Sequence, residues 1–371
     1  MRRFAFMLFS LLMISRQALV SAQTDSNPYP VPPILNDAPI VLAYQVADYH
    51  INMQRWFITS GEGPVVEIAP GAAFNTETFA AAWTDDCAQF AVSTSMPMAT
   101  GDASWTIKVY TAATGEERAL FEPTEYGQYN LYWSPGGTRI AYETFTEGQG
   151  VDVVNVASGE RIRVGSEEMY PVGWQGEDNL LMIYAKRLDD NSVDRRLMRA
   201  TIGADGQAAT TELINDPSIV TAIAAPDGSL LVQRAASEGT LLELYDRDGQ
   251  YQRRLAANAS SLIPLWSHDG ERIAYLRTQN GVSIVNVNTL VIDPLWDRTA
   301  DPSRYVGWLI DWMGGDQSVV FQGPSGASGS PISISGVNVQ TGDITELIPP
   351  QAGDDQIVYG FLPCMLPPDT P

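Results

Sequence analysis

Histidine and cysteine are nearly absent, with two of each in 371 residues. The histidines, His50 and His268, are too far apart to form a metal cluster of recognised spacing. The cysteines are Cys87 and Cys364 alone, an even pair. Cations are scarce as well. Lys and Arg total 22 against 44 Asp and Glu, a formal charge of −22. That balance argues against nucleic acid and anionic bilayers as partners, because both repel an acidic surface. No Gly-x-Ser-x-Gly elbow is present, which leaves a hydrolase triad without its nucleophile turn. The apolar run Phe4 to Ile14 is too short to span a bilayer comfortably, and no longer one follows.

The chain does contain a repeat. The stretch Leu131 to Arg163 reads as one unit: a strand ending at Trp133, the turn Ser134-Pro135-Gly136-Gly137, a strand from Arg139, a polar loop, a third strand to Val156, the turn Ser158-Gly159 and a short fourth strand. Pro fixes φ and Gly permits positive φ at such turns, which is hairpin chemistry. The Trp133 position recurs at Trp83, Trp174, Ala224, Trp266, Trp312 and Phe361, at spacings of 50, 41, 50, 42, 46 and 49. The third-strand turn recurs at Gly115, Gly206, Gly249 and Gly342, while Asn288-Thr289 lacks the glycine. Four short strands per unit at such a period predict propeller blades. One aromatic per blade most simply packs between neighbouring sheets. Ala224 breaks the series and predicts a looser blade.

The chain ends complete the count. Ile40 to Ile68 supplies three strands without a first, and Ile357 to Phe361 supplies a first strand alone. Joined in one sheet, they make a seventh four-stranded blade and close the ring without an open edge. The expected fold is therefore an all-β propeller of seven blades over residues 39–366, with six blades as the alternative. Residues 1–22 read as a signal peptide: Arg2 and Arg3 precede the apolar run, and Val20-Ser21-Ala22 suits cleavage before Gln23. Residues 23–38 read as a Pro-rich linker and 367–371 as a tail. An exported protein with two cysteines predicts one disulfide. Aligned on the Trp133 turn, Cys87 and Cys364 match Gly137 and Gly136 of adjacent units, so their bond is expected to clasp the ring.

The segments Tyr132 to Tyr142 (YWSPGGTRIAY) and Leu265 to Tyr275 (LWSHDGERIAY), and more weakly Ala225-Pro-Asp-Gly228, resemble the WD-like repeat of TolB-type propellers, roughly W-S-P-D-G-x-x-I-A-F. The resemblance implies the blade architecture, while the signal peptide predicts a periplasmic or secreted setting. The α/β domain that accompanies the TolB propeller has no counterpart pattern here. The motif is structural, so it implies fold and not function.

The blade pattern sorts the loops. First-to-second and third-to-fourth turns share one face and are short. Second-to-third loops and blade connections share the other, and stretches such as Ser93 to Ser104, Lys186 to Arg196 and Gln322 to Pro331 read as long and irregular. Binding residues gather on variable loops held by a rigid scaffold. The candidates are Tyr49, His50, Glu167, Glu168, Asp189, Asp190, Asp194, Asp354 and Asp355, an acidic set suited to a protein or extracellular ligand. No catalytic residue and no cofactor is expected. Calcium is the one ion worth weighing, at Asp189 to Asp194 or Asp246 to Gly249, though neither run supplies the spaced oxygens of a dedicated loop. His268 reads as a solvated turn residue. The expected protein is a monomeric binding scaffold. The competing expectation is an enzyme acting on glycans or small molecules with carboxylates at the central channel.

Overall fold

The computed structural model describes residues 32, 34–35, 38–48, 53–60, 65–68, 78–97, 103–125, 127–145, 149–237, 239–278, 281–296, 306–324, 332–349 and 356–366. The proposed signal peptide and tail, most of the linker, and Tyr49, His50, Asp354 and Asp355 lie outside them. Seven four-stranded antiparallel sheets form a ring, with no helix among the described residues. Blade 1 joins the two ends of the chain: Gln356–Met365 is its inner strand, followed outward by Ile40–Asp48, Met53–Thr59 and Val66–Ile68. Blades 2 to 7 follow in sequence, over residues 78–119, 127–165, 169–215, 219–259, 265–296 and 308–348.

The second strand of each blade explains the sequence pattern. In Arg139–Phe145, Ile140 and Tyr142 face blade 2 while Ala141 faces blade 4. In Ile40–Asp48, Leu42 and Tyr44 face blade 7 while Val41 and Ala43 face blade 2. Side chains alternate across a strand, so a sheet packed on both faces needs an unbroken apolar run. Seven apolar clusters result, one at each interface between neighbouring blades. Each fully buried large side chain in them contributes roughly 1.5–3 kcal/mol.

The tryptophans pack as expected. Trp133, Trp174 and Trp312 are buried, each in the cluster shared with the preceding blade. Their indole N–H groups also donate across that interface, Trp133 to Ala82 O at 3.1 Å, Trp174 to Tyr132 O at 3.0 Å and Trp312 to Leu265 O at 3.4 Å. Trp83 donates to Leu362 O of blade 1 at 2.8 Å. This register corrects the alignment of the last unit. Trp133 pairs with Ile140, and the matching partner of Leu42 is Pro363, so Pro363 rather than Phe361 stands at the tryptophan position. Where Ala224 replaces tryptophan, a polar bracket spans blades 4 and 5. Gln175 Nε2 donates to Gly228 O and Arg247 O at 2.6 and 3.0 Å, and Arg199 reaches Arg247 O and Asp248.

Cys87 and Cys364 form the expected disulfide across 277 residues, joining the inner strand of blade 1 to the first turn of blade 2. A disulfide of this kind fits an oxidising compartment. Cys87 occupies the left-handed position, φ 59°, that Gly137 takes at φ 65° in blade 3. The proposed linker also touches the ring, since Leu35 N donates to Leu347 O of blade 7 at 2.8 Å.

The missing glycine of blade 6 has a structural consequence. Leu290 takes its place at φ 61°, where its N–H bonds Asn286 O as Gly159 bonds Asn155 O. A left-handed conformation costs a residue with a Cβ about 1–2 kcal/mol, and Leu290 is 44% exposed, so little burial offsets it. Leu290→Gly is therefore expected to stabilise the fold by about 1 kcal/mol, read as a raised denaturation midpoint.

Candidate functional site at the channel mouth

The first-to-second turns surround the central channel on one face, and three of them clasp the preceding blade. Asp316, at the left-handed position of blade 7 (φ 63°), accepts from His268 N at 3.2 Å and Asp269 N at 3.0 Å in blade 6. Glu177 of blade 4 accepts from Gly136 N and Ser134 Oγ of blade 3, both at 2.7 Å, and from Thr138 Oγ1. Arg139 and Asp178 add an ion pair at 2.6 Å. Cys87 makes the covalent version in blade 2.

These clasps bring non-repetitive chemistry together. His268 Nδ1 lies 2.7 Å from Asp316 Oδ1, and its Nε2 lies 3.9 Å from Asp311 Oδ1. Asp311 sits on the inner strand Trp308–Met313, one residue before Trp312, whose backbone N donates to Asp311 Oδ1 at 2.7 Å. Burial within the ring of inner strands pushes the Asp311 carboxyl up to about 6. The Trp312 N–H and His268 pull it down, while Asp85 and Asp316 raise it. Burial raises Asp85 too, helped by Asp86 and Glu177 and opposed by His268. Turn residues of blades 2, 4, 6 and 7 thus share one electrostatic environment.

An imidazole between two carboxylates makes this mouth the one place among the described residues where His268 meets acids of another blade. The described residues contain no group of three His, Cys, Asp or Glu side chains placed to hold a metal ion. His268 is a solvated turn residue, as its sequence suggests, its side chain 57% exposed, and it also meets Asp316. Asp311 and Asp316 were not among the sequence candidates. The available signal was an acid at a position where other blades carry Ala82, Tyr132, Ile223 and Leu265.

On the opposite face, Lys186 to Arg196 is not a long irregular loop. Strands Asn179–Arg187 and Val193–Ile202 pair along their length, leaving Leu188 to Ser192 as the tip. Strand pairing here won over the polar composition that suggested a loop. Asp189 and Asp190 are exposed at the tip, where Asp190 Oδ1 accepts from Ser192 N at 2.9 Å and Ser192 Oγ at 2.5 Å. Asp194 pairs with Arg196 at 2.6 Å. Glu168 pairs with Lys186 at 3.5 Å, and the Ser166 hydroxyl leads in holding its carboxyl below the usual range. Glu167 is exposed beside it. The hairpin tip and these glutamates share one face but form no convergent cluster.

No protein-family model matches the sequence, and no curated protein matches it. Solved structures resemble it in fold. An oligogalacturonate lyase in complex with manganese aligns at TM-score 0.57 and 16% identity, covering 84% of this chain and 85% of that one. A puromycin-hydrolyzing peptidase from Mycobacterium tuberculosis aligns at TM-score 0.61 and 14% identity, covering 87% of this chain and 53% of the peptidase. The propeller domain of the Trilobed protease from Pyrococcus furiosus, described as having an open velcro topology, aligns at TM-score 0.59 and 11% identity over 85% of this chain and 96% of that one. At such identities the likeness is one of fold, and function is decided by the site.

Asp311 carries a pH signature. A carboxyl whose folded pKa is raised holds its proton more tightly in the folded state, so its cost to stability is absent in acid and grows as pH rises through about 6. Asp311→Asn keeps the acceptor for Trp312 N. At about pH 7.5 it should raise stability by about 1 kcal/mol, after discounting for a side chain 39% exposed, and the gain should vanish at about pH 4. Thermal unfolding at both pH values measures it.

Proposed function

We propose that the chain is an exported, non-catalytic propeller that binds a protein or extracellular ligand through its loop-rich face. The observation that carries this reading is the contrast between the faces. One is consolidated by short turns, carboxylate clasps and the disulfide. The other projects the Leu188 to Ser192 tip, where Leu188 is 44% exposed and Asp189 and Asp190 stand beside it. Leu188 gives that tip one apolar contact among its charges. Tyr49, His50, Asp354 and Asp355, which lie outside the described residues, are included on the sequence pattern alone. The charge of −22 favours a basic or neutral partner over nucleic acid or an anionic bilayer. The proposed signal peptide and the disulfide support a periplasmic or secreted setting, and we propose a monomer of TolB-like kind without a resident cofactor.

A second reading, catalysis on a small molecule or glycan, is favoured by His268 between Asp311 and Asp316. The lyase and peptidases among the structural neighbours act as their names state, and their chemistry does not transfer through the fold. The two readings predict different sensitive residues. A charge-reversed tip, Leu188→Ser with Asp189→Lys and Asp190→Lys, should cut retention of partners from the source's envelope fraction roughly tenfold or more. His268→Gln should leave that retention unchanged. Full retention by the tip variant, or loss only on replacing His268, would overturn the assignment.

A further inference from the structure

Blade 1 is the sheet built from both ends of the chain, so no turn joins its inner strand to the next. Toward blade 2 it is held by the Cys87–Cys364 disulfide. Toward blade 7 the chain crosses the seam just before the strand Ile40–Asp48 begins. Pro32 is buried, and Ile34 and Ala38 pack against the apolar cluster shared by blades 7 and 1. That cluster sets Val320, Ile334, Leu347 and Ile348 of blade 7 against Leu42, Tyr44 and Phe57 of blade 1. The backbone of the crossing is tied at both ends. Leu35 N donates to Leu347 O, on the outer strand of blade 7, at 2.8 Å. Pro39 O accepts from Leu366 N, just past the inner strand of blade 1, at 2.8 Å.

The Leu347 carbonyl is available for a reason that the repeat makes visible. The pairing of the outer two strands of blade 7 passes from Ile334–Ile348 to Ser335–Glu346, so Leu347 is the extra residue of a bulge and stands out of the ladder. Leu213 of blade 4 and Leu295 of blade 6 are extra residues of the same kind. Their carbonyls face the glycine turn of the following blade, where a Cβ added at Gly249 or Gly342 would lie 2.6 or 3.3 Å away. At the seam between blades 7 and 1 the corresponding carbonyl is met by Leu35. The crossing segment is suited to that place. Pro32 and Pro39 fix φ, so less chain entropy is lost on docking. Ile34 and Ala38 supply apolar surface to the cluster, and Leu35 supplies the N–H.

We propose that the seam between blades 7 and 1 is an acceptor groove for an extended proline-aliphatic segment, and that Pro32, Ile34, Leu35 and Ala38 are its resident occupant. They act as a strap that fastens blade 1 on the side away from the disulfide, where the sequence suggests only a linker. This role does not rest on the partner reading above. Amide hydrogen exchange of the full chain tests it first: the Leu35 N–H should exchange about tenfold or more below its intrinsic rate. Ile34→Asp with Ala38→Asp, again in the full chain, should abolish that protection and lower the folded-to-unfolded ratio about tenfold in guanidinium. The groove itself is tested in trans. A chain with residues 32–38 replaced by a Gly-Ser segment of equal length is titrated by calorimetry with the peptide VPPILNDA, residues 31–38, up to about 1 mM. Saturable binding is expected, weakened about tenfold by Ile34→Asp in the peptide or by N-methylation of Leu35. If the Gly-Ser chain does not fold, exchange at Leu35 decides. A Leu35 amide at its intrinsic rate, an unmoved midpoint in the double variant, or no saturable binding to the folded Gly-Ser chain would overturn the proposal. So would binding indifferent to both peptide changes.

Discussion

A blade of this protein has two apolar faces, and it can bury them only by standing between two other blades. Everything else in the structure depends on that constraint. The alternation of Ile140 and Tyr142 against Ala141 fills one interface on each side of the same strand. An open row of such sheets would leave one face wet at each end, at a cost of several large side chains exposed to water. The ring removes both ends. It requires the first and last strands of the chain to meet in one sheet, which Ile40–Asp48 and Gln356–Met365 do over nine register pairs.

The same constraint accounts for the position of the clasps. Blades pack face to face, so the first turn of one lies against the first turn of the next around the channel. At Gly137 and Gly270 that position holds only backbone, and an added Cβ would approach Thr84 and Pro226 of the preceding blade. Where a side chain occupies it, the chain uses the proximity. Cys87 reaches Cys364, and Asp316 reaches the His268 turn. The charged channel mouth is thus a by-product of ring assembly that also concentrates Asp85, Asp311 and His268. Rigid turns on one face leave variation to the other.

Much of this was legible in the sequence because it repeats. The Trp133 turn, the glycine turns and the incomplete end units gave the seven blades and the Cys87–Cys364 pair. The register of the last unit was not legible. Pro363 replaces the tryptophan, and Phe361 is two residues away in a strand of period two, so alternation in the sequence alone cannot choose between them. The Lys186 to Arg196 hairpin escaped because cross-strand pairs of charged residues, such as Lys186 with Asp194, look like a polar loop in one dimension. The channel cluster was invisible for a related reason. It is made by residues of different blades, and nothing in linear spacing says which of several acids converge. What could have drawn attention is departure from the repeat: Asp311 before its tryptophan, and histidine at the proline position of the Trp266 turn.

The central claim is that the ring is closed by the two ends of the chain and clasped at that seam. Guanidinium unfolding of the protein with and without prior reduction of the disulfide tests it most directly. Closing a loop of 277 residues should add on the order of 5 kcal/mol through the entropy of the unfolded chain, reduced by any strain. The account predicts one cooperative transition in both forms, with the reduced protein less stable by about 2–5 kcal/mol. An unfolding midpoint unmoved by reduction would contradict it.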